Sequence, residues 1–211
     1  MILKTTAQTT RLIIATPVGQ AWVDLDSADG PLLLVIGHGA GGTVESPDLL
    51  AVRSHALAAG ISVARVTQPY RVAGKKAPPT AASLDGAWSA IIANLGRRKH
   101  LKGLEFVYGG RSSGARVACR TAADRSIRPP ASRVVALAFP VHPPGKPEKS
   151  RLAELASVPV PTLVVQGLQD PFGMPGPHPD VTVVAVAGDH SLKKSAEEVG
   201  AAVAAWLTAP G

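Results

Sequence analysis

The segment Gly110-Arg111-Ser112-Ser113-Gly114 restricts the fold more than any other feature of the chain. Before it stands Leu104-Glu105-Phe106-Val107-Tyr108, which reads as a strand. After it, Ala115-Arg116-Val117-Ala118-Cys119-Arg120 reads as a helix. A strand that turns straight into a helix around a serine makes a very tight corner. Side chains two residues to either side of that serine would collide, so glycine stands at both places. The corner lifts the serine hydroxyl out of a sheet and sets it at a helix N-terminus. There, unpaired N–H groups and the helix dipole favour developing negative charge. Ser112 has Gly110 and Gly114 at these flanks, whereas Ser113 has Arg111 and Ala115, so Ser112 is the candidate nucleophile. The plain alternative is a glycine-rich turn that happens to hold a serine. The strand and helix around it argue against that alternative.

Apolar runs bounded by turn residues alternate with helical patterns along the rest of the chain. Arg11 to Ala15 and Gln20 to Asp26 read as two strands joined at Pro17-Val18-Gly19. The fully apolar run Leu32 to Ile36 has the character of a central parallel strand. Pro47 to Ala59 reads as a helix, with Ser46 as N-cap and Pro47 at the first helical position. Ile61 to Val66, Arg133 to Ala138, Thr162 to Gln166 and Val181 to Val186 read as further strands. Helices are expected over Thr80 to Leu95, Arg151 to Ser157 and Ser195 to Leu207. Strands alternating with helices imply an α/β architecture with a mostly parallel sheet covered on both faces. Two proline-rich stretches, Gln68 to Thr80 and Phe139 to Lys149, read as surface loops over strand ends, and nothing long enough to divide the chain is visible. Residues 1–211 are therefore read as one domain.

A serine nucleophile needs a base, and the base needs an orienting carboxylate. Asp170 follows the strand Thr162 to Gln166 in Gly167-Leu168-Gln169-Asp170-Pro171-Phe172, and His190 follows the strand Val181 to Val186 in Gly188-Asp189-His190-Ser191. Both positions are C-terminal strand ends, where ligands bind in open α/β sheets. Asp170 is preferred as the acid over Asp189, which neighbours the histidine in sequence and is expected to point elsewhere. Taken singly, Asp170 could be a turn residue and His190 an exposed loop histidine. Serine, acid and histidine in that order, each directly after an apolar strand, make coincidence the weaker account.

The glycine loop Gly37-His38-Gly39-Ala40-Gly41-Gly42 follows the central strand. It is the expected source of one oxyanion donor, the N–H of Ala40, with the second from Ser113. A phosphate-binding reading fails because no Gly-Lys-Ser/Thr follows and the spacing is not Gly-x-Gly-x-x-Gly. Residues expected to touch substrate are His38 and Gly39 on this loop, Arg111 in the elbow and His142 on the second proline-rich loop.

The net charge of +7 raises nucleic-acid binding, but the basic residues are scattered, aromatics are scarce, and the one dense cluster, Arg97-Arg98-Lys99, ends a predicted helix. No nucleic-acid partner is expected. The single cysteine, Cys119, excludes an internal disulfide framework and reads as a buried thiol. No metal-ligand spacing appears, and the chemistry proposed needs neither metal nor cofactor. The first residues, Met1-Ile2-Leu3-Lys4-Thr5-Thr6, carry no apolar stretch of signal-peptide length, and no run reaches membrane-spanning length, so a cytoplasmic protein without a membrane partner is expected.

These residues resemble the α/β-hydrolase superfamily across essentially the whole chain. Three stretches narrow the resemblance to the small testis-expressed-protein and dienelactone-hydrolase-like branch. They are Gly109-Gly110-Arg111-Ser112-Ser113-Gly114-Ala115-Arg116, Phe139-Pro140-Val141-His142-Pro143-Pro144-Gly145-Lys146-Pro147 and Gln169-Asp170-Pro171-Phe172-Gly173. The resemblance implies a three-layer α/β/α sandwich with minimal or no lid and a triad of Ser112, Asp170 and His190. It also implies a serine hydrolase, carboxylesterase-like, that cleaves small esters through an acyl-enzyme. Dienelactone hydrolases proper carry a cysteine nucleophile, and Ser112 stands there instead. Some animal relatives are subunits of chromatin complexes, so a non-catalytic interaction module on the same fold is the second reading. Arg111, Arg71, Lys75, Lys76 and Lys146 leave two readings of the substrate partner open: steering of an anionic small-molecule ester, or simple solvation. Neither oligomeric state nor physiological substrate follows from the sequence.

Overall fold

The computed structural model describes residues 9–209, so the expectation about the first six residues lies outside the described part. An eight-stranded sheet runs in the order β1-β2-β4-β3-β5-β6-β7-β8. The strands are β1 (Thr10–Thr16), β2 (Gly19–Asp26), β3 (Leu32–Gly37), β4 (Ser62–Thr67), β5 (Glu105–Arg111), β6 (Ala131–Leu137), β7 (Thr162–Gly167) and β8 (Val181–Val186). β1 pairs antiparallel with β2 and β2 antiparallel with β4, while the pairs from β4 to β8 are parallel. The helices are α1 (Pro47–Ala58), α2 (Pro69–Val72), α3 (Ala81–Gly96), α4 (Ser113–Ala123), α5 (Leu152–Ala156) and α6 (Ala196–Thr208).

Strand periodicity sorts the apolar side chains onto two faces. Leu33 and Val35 of β3 enter one core layer with Phe106, Tyr108, Trp88 and Ile91, beneath α3 and α4. Leu32, Leu34 and Ile36 enter the other with Val107, Leu163, Leu49 and Val203, beneath α1 and α6. Burial on both faces is why β3 carries no polar residue at all. The outcome is the three-layer α/β/α sandwich expected. Residues 138–161, which join β6 to β7, carry only α5, so no lid domain is inserted there.

Three local expectations need correction. Gln68 to Thr80 is not all loop, because Pro69 starts α2; proline's fixed φ suits a first helical position, a signal hidden here among many prolines. β5 does not stop at Tyr108 but runs on to Arg111, since Gly109 and Gly110 keep their ladder partners in β3 and β6. Ser46 precedes α1 as expected, yet its side chain makes no capping bond and its Oγ is buried without a hydrogen-bond partner among the described residues. Cys119 is fully buried on α4, and that burial pushes its thiol pKa up to about 12. No helix among the described residues is long and apolar enough to cross a membrane.

Candidate active site

At the end of β5 the chain turns a tight corner into α4. Ser112 has φ 53° and ψ −110°, a left-handed conformation strained for a residue with a side chain. The strain is held by neighbours: Ser112 N–H donates to the Leu137 carbonyl at 2.8 Å, and Arg116 N–H donates to the Ser112 carbonyl at 3.2 Å. Both flanking glycines are sterically required. A Cβ on Gly110 would lie 2.2 Å from the carbonyl carbon of Gly114, and one on Gly114 would lie 2.7 Å from the Gly37 carbonyl oxygen. The same corner thus binds the elbow to the end of β3.

Three side chains from three strand ends meet in one chain of hydrogen bonds. Ser112 Oγ lies 2.8 Å from His190 Nε2, and His190 Nδ1 lies 2.8 Å from Asp170 Oδ2. An ionised carboxylate only accepts, so Nδ1 carries the imidazole proton and Nε2 is free to accept from the serine hydroxyl. Asp170 is fixed from behind. Gln166 Nε2 donates to its Oδ2 and Phe172 N–H to its Oδ1, each at 2.8 Å, and its side chain is fully buried. Phe172 also stacks on the His190 ring at a centroid distance of 4.0 Å. Asp189 turns away: its carboxylate accepts from the N–H and hydroxyl of Ser191, which hold its pKa below the usual carboxylate range.

The glycine loop after β3 closes over the nucleophile. A Cβ on Gly39 would lie 3.5 Å from the Cβ of Ser112, so the loop backbone rests against the elbow. Gly42 N–H closes a turn onto the Gly39 carbonyl at 3.0 Å, and the Tyr70 hydroxyl donates to the Ala40 carbonyl at 2.7 Å. Ser113 opens α4, so its N–H has no acceptor within the helix.

The other residues expected to touch substrate all make contacts within the protein. His38 is buried, its Nδ1 lies 2.8 Å from the Gly39 carbonyl and its Nε2 accepts from Gln68 N–H at 3.1 Å. It pins the glycine loop to the end of β4. Burial also pulls its pKa below the ordinary imidazole value. Arg111 is engaged with the protein itself: Nε lies 3.0 Å from Asp48 Oδ2 and Nη2 donates to the His190 carbonyl at 2.9 Å. His142 packs on the acid loop, where its N–H donates to the Phe172 carbonyl at 3.1 Å.

Sequence reasoning missed Asp48, Gln166 and Tyr70. Asp48 carries one available signal, an acidic residue in the first turn of a helix. Gln166 closes the apolar run Leu163 to Val165 with a buried polar side chain, and buried polar residues of that kind are held for a partner.

A family model described as alpha/beta hydrolase domain matches residues 31–205. No curated protein sequence matches the chain. Among solved structures, an alpha-beta serine hydrolase homologue from Coxiella burnetii is 19% identical, with a TM-score of 0.75 over 99% of this chain and 100% of that one. An a/b serine hydrolase without lid from Xanthomonas campestris is 18% identical, with a TM-score of 0.71 over the whole of both chains. A dienelactone hydrolase from Anabaena variabilis is 16% identical, with a TM-score of 0.73 over 95% of this chain and 97% of that one. At these identities the likeness is one of fold.

Proposed function

Because the chain belongs to the alpha/beta hydrolase family, we propose that it is a serine hydrolase that cleaves small carboxylic esters through an acyl-enzyme. One observation carries the reading: the unbroken chain Asp170–His190–Ser112, with both links at 2.8 Å. A scaffold has no use for a strained serine aligned on a histidine that is itself aligned on a buried carboxylate.

In this reading Ser112 Oγ attacks the ester carbonyl carbon while its proton passes to His190 Nε2. The imidazolium that forms is stabilised by Asp170, which keeps its negative charge. The N–H groups of Ser113 and Ala40 receive the oxyanion. As the tetrahedral adduct collapses, the bond to the leaving alcohol breaks and His190 returns the proton to that alcohol. Water then attacks the acyl-enzyme by the same route, giving the free acid and regenerating Ser112. Without an inserted lid there is little apolar wall to hold a long chain, which supports short esters over long ones.

The test is labelling with a fluorophosphonate, together with turnover of p-nitrophenyl acetate. Wild type should label and turn over. Ser112→Ala should remain folded, fail to label, and lose kcat by roughly 10⁶, as for a triad nucleophile elsewhere. Unlabelled wild type, or an active Ser112→Ala protein, would reject the proposal and leave the interaction-module reading.

A further inference from the structure

The His190 imidazole is held at its edges and on one face. Its ring nitrogens meet Ser112 and Asp170, each at 2.8 Å, and the carbonyl of the same residue accepts from Arg111. On the face lies the phenyl ring of Phe172, with the two centroids 4.0 Å apart and the planes inclined by 27°. Phe172 is only half-buried and belongs to neither core layer, so core packing does not account for its position.

The backbone holds that phenyl ring in place. Phe172 N–H donates to Asp170 Oδ1 at 2.8 Å, and the Phe172 carbonyl accepts from His142 N–H at 3.1 Å. The next residue leaves little slack. Gly173 has φ 91°, and a Cβ there would lie 2.8 Å from His142 Nε2 and 3.2 Å from Val141 Cβ. Its carbonyl accepts from Gln166 Nε2 at 2.8 Å, the same nitrogen that donates to Asp170 Oδ2. One short loop thus carries the carboxylate and the phenyl ring as a unit, and both reach the same imidazole.

The two contacts differ in chemistry. Asp170 attracts the imidazole through its Nδ1–H, whereas a phenyl ring is negative over its face and attracts a cation laid against it. His190 is neutral while it waits for the serine proton and cationic once it has taken it. The imidazolium forms twice in each turnover, in acylation and again in deacylation. A face that attracts the cation more than the neutral ring lowers both transition states relative to the ground state. On the basis of the hydrolase reading above, we propose that Phe172 is a positioning residue for the base. It fixes the imidazole plane between Ser112 and Asp170, and its π face stabilises the imidazolium as it forms.

Replacements at this position separate the face from the bulk. Phe172→Leu keeps an apolar side chain but has no π face. Phe172→pentafluorophenylalanine keeps the ring and reverses the sign of its face. Phe172→Tyr keeps both ring and sign. With p-nitrophenyl acetate, kcat should fall about fivefold in the Leu variant and at least as far in the pentafluoro variant. KM should stay unchanged, because the contact is made to the base and not to the ester. Phe172→Tyr should keep most of the wild-type kcat. A second readout needs no turnover: exchange of the His190 Nδ1–H with water, followed by NMR, should be faster in Phe172→Leu than in wild type. A pentafluoro protein with wild-type kcat overturns the proposal, while turnover by wild type upholds the hydrolase reading. If wild type hydrolyses no ester, faster exchange in Phe172→Leu keeps the positioning of His190 and discards the hydrolase, and unchanged exchange discards both.

Discussion

Arg111 and Asp48 form an ion pair behind the nucleophile, with Arg111 Nε 3.0 Å from a carboxylate that is fully buried. No aligned hydrogen bond reaches either oxygen of Asp48 within the described residues, so the guanidinium charge is its main compensation. The same guanidinium holds the His190 carbonyl, which ties α1, the elbow and the histidine loop together. Arg111 is therefore committed to bracing, and a substrate carboxylate would have to compete with Asp48 for it. We expect Arg111→Met to cost about 3–5 kcal/mol by stranding a buried charge, and the double variant Arg111→Met/Asp48→Leu to recover most of that loss. Urea unfolding of wild type and the two variants measures it; a single variant as stable as wild type would refute the bracing role.

Gly110 has a sharper steric limit than any charge in the site. Its Cβ would lie within 2.2 Å of the Gly114 carbonyl carbon and 2.4 Å of the carbonyl oxygen, both backbone atoms that cannot rotate away. Gly110→Ala must open the corner, which should destabilise by about 3 kcal/mol or more and draw Ser112 Oγ away from His190. Fluorophosphonate labelling of the folded fraction reports the second effect independently of the first. Normal labelling would mean that the corner has slack.

The two aspartates near His190 should separate cleanly. The Asp170 carboxylate accepts from His190, Gln166 and Phe172, whereas the Asp189 carboxylate accepts only from Ser191 within the described residues. Asp170→Asn should lower kcat by roughly 10⁴, because an amide can force the wrong imidazole tautomer. Asp189→Asn removes a loop acceptor and should leave kcat near wild type. Esterase assays of both variants decide it, and the reverse ranking would move the acid to Asp189.

Much of this arrangement was legible because it depends on local geometry. The elbow needs glycine at two fixed positions, and each triad residue must stand just after an apolar strand; both rules act within a few residues. The roles of Arg111 and His38 were not legible. Their partners, Asp48 and the Gln68 N–H, lie on other elements, and only the packing of α1 and the end of β4 against the glycine loop brings them together. The sequence shows a basic residue in an elbow and a histidine in a glycine loop, but not the carboxylate and the N–H that they engage. Gln68 Oε1 and Trp88 Nε1, buried without a hydrogen-bond partner among the described residues, were hidden for the same reason, since an absent partner is a property of the fold and not of the sequence.

His38 gives the fold a pH dependence whose sign can be worked out. Its Nε2 accepts from Gln68 N–H, so the proton sits on Nδ1 and the ring is neutral. Adding a proton at Nε2 breaks that bond and puts a charge in a buried site, and burial accordingly lowers the folded-state pKa. In the unfolded chain the ring titrates near its ordinary value of about 6.5. Between that value and the lower folded one, the unfolded state binds more protons. The contribution of His38 is thus fully present above about pH 6.5 and is lost as pH falls from there toward the folded pKa. His38→Gln keeps an acceptor for Gln68 N–H but does not titrate. We expect the stability advantage of wild type over His38→Gln, from urea unfolding, to shrink between about pH 7.5 and about pH 5.5. An advantage that stays constant over this window would show that His38 takes up its proton without strain, and the pinning of the glycine loop to β4 would need another explanation.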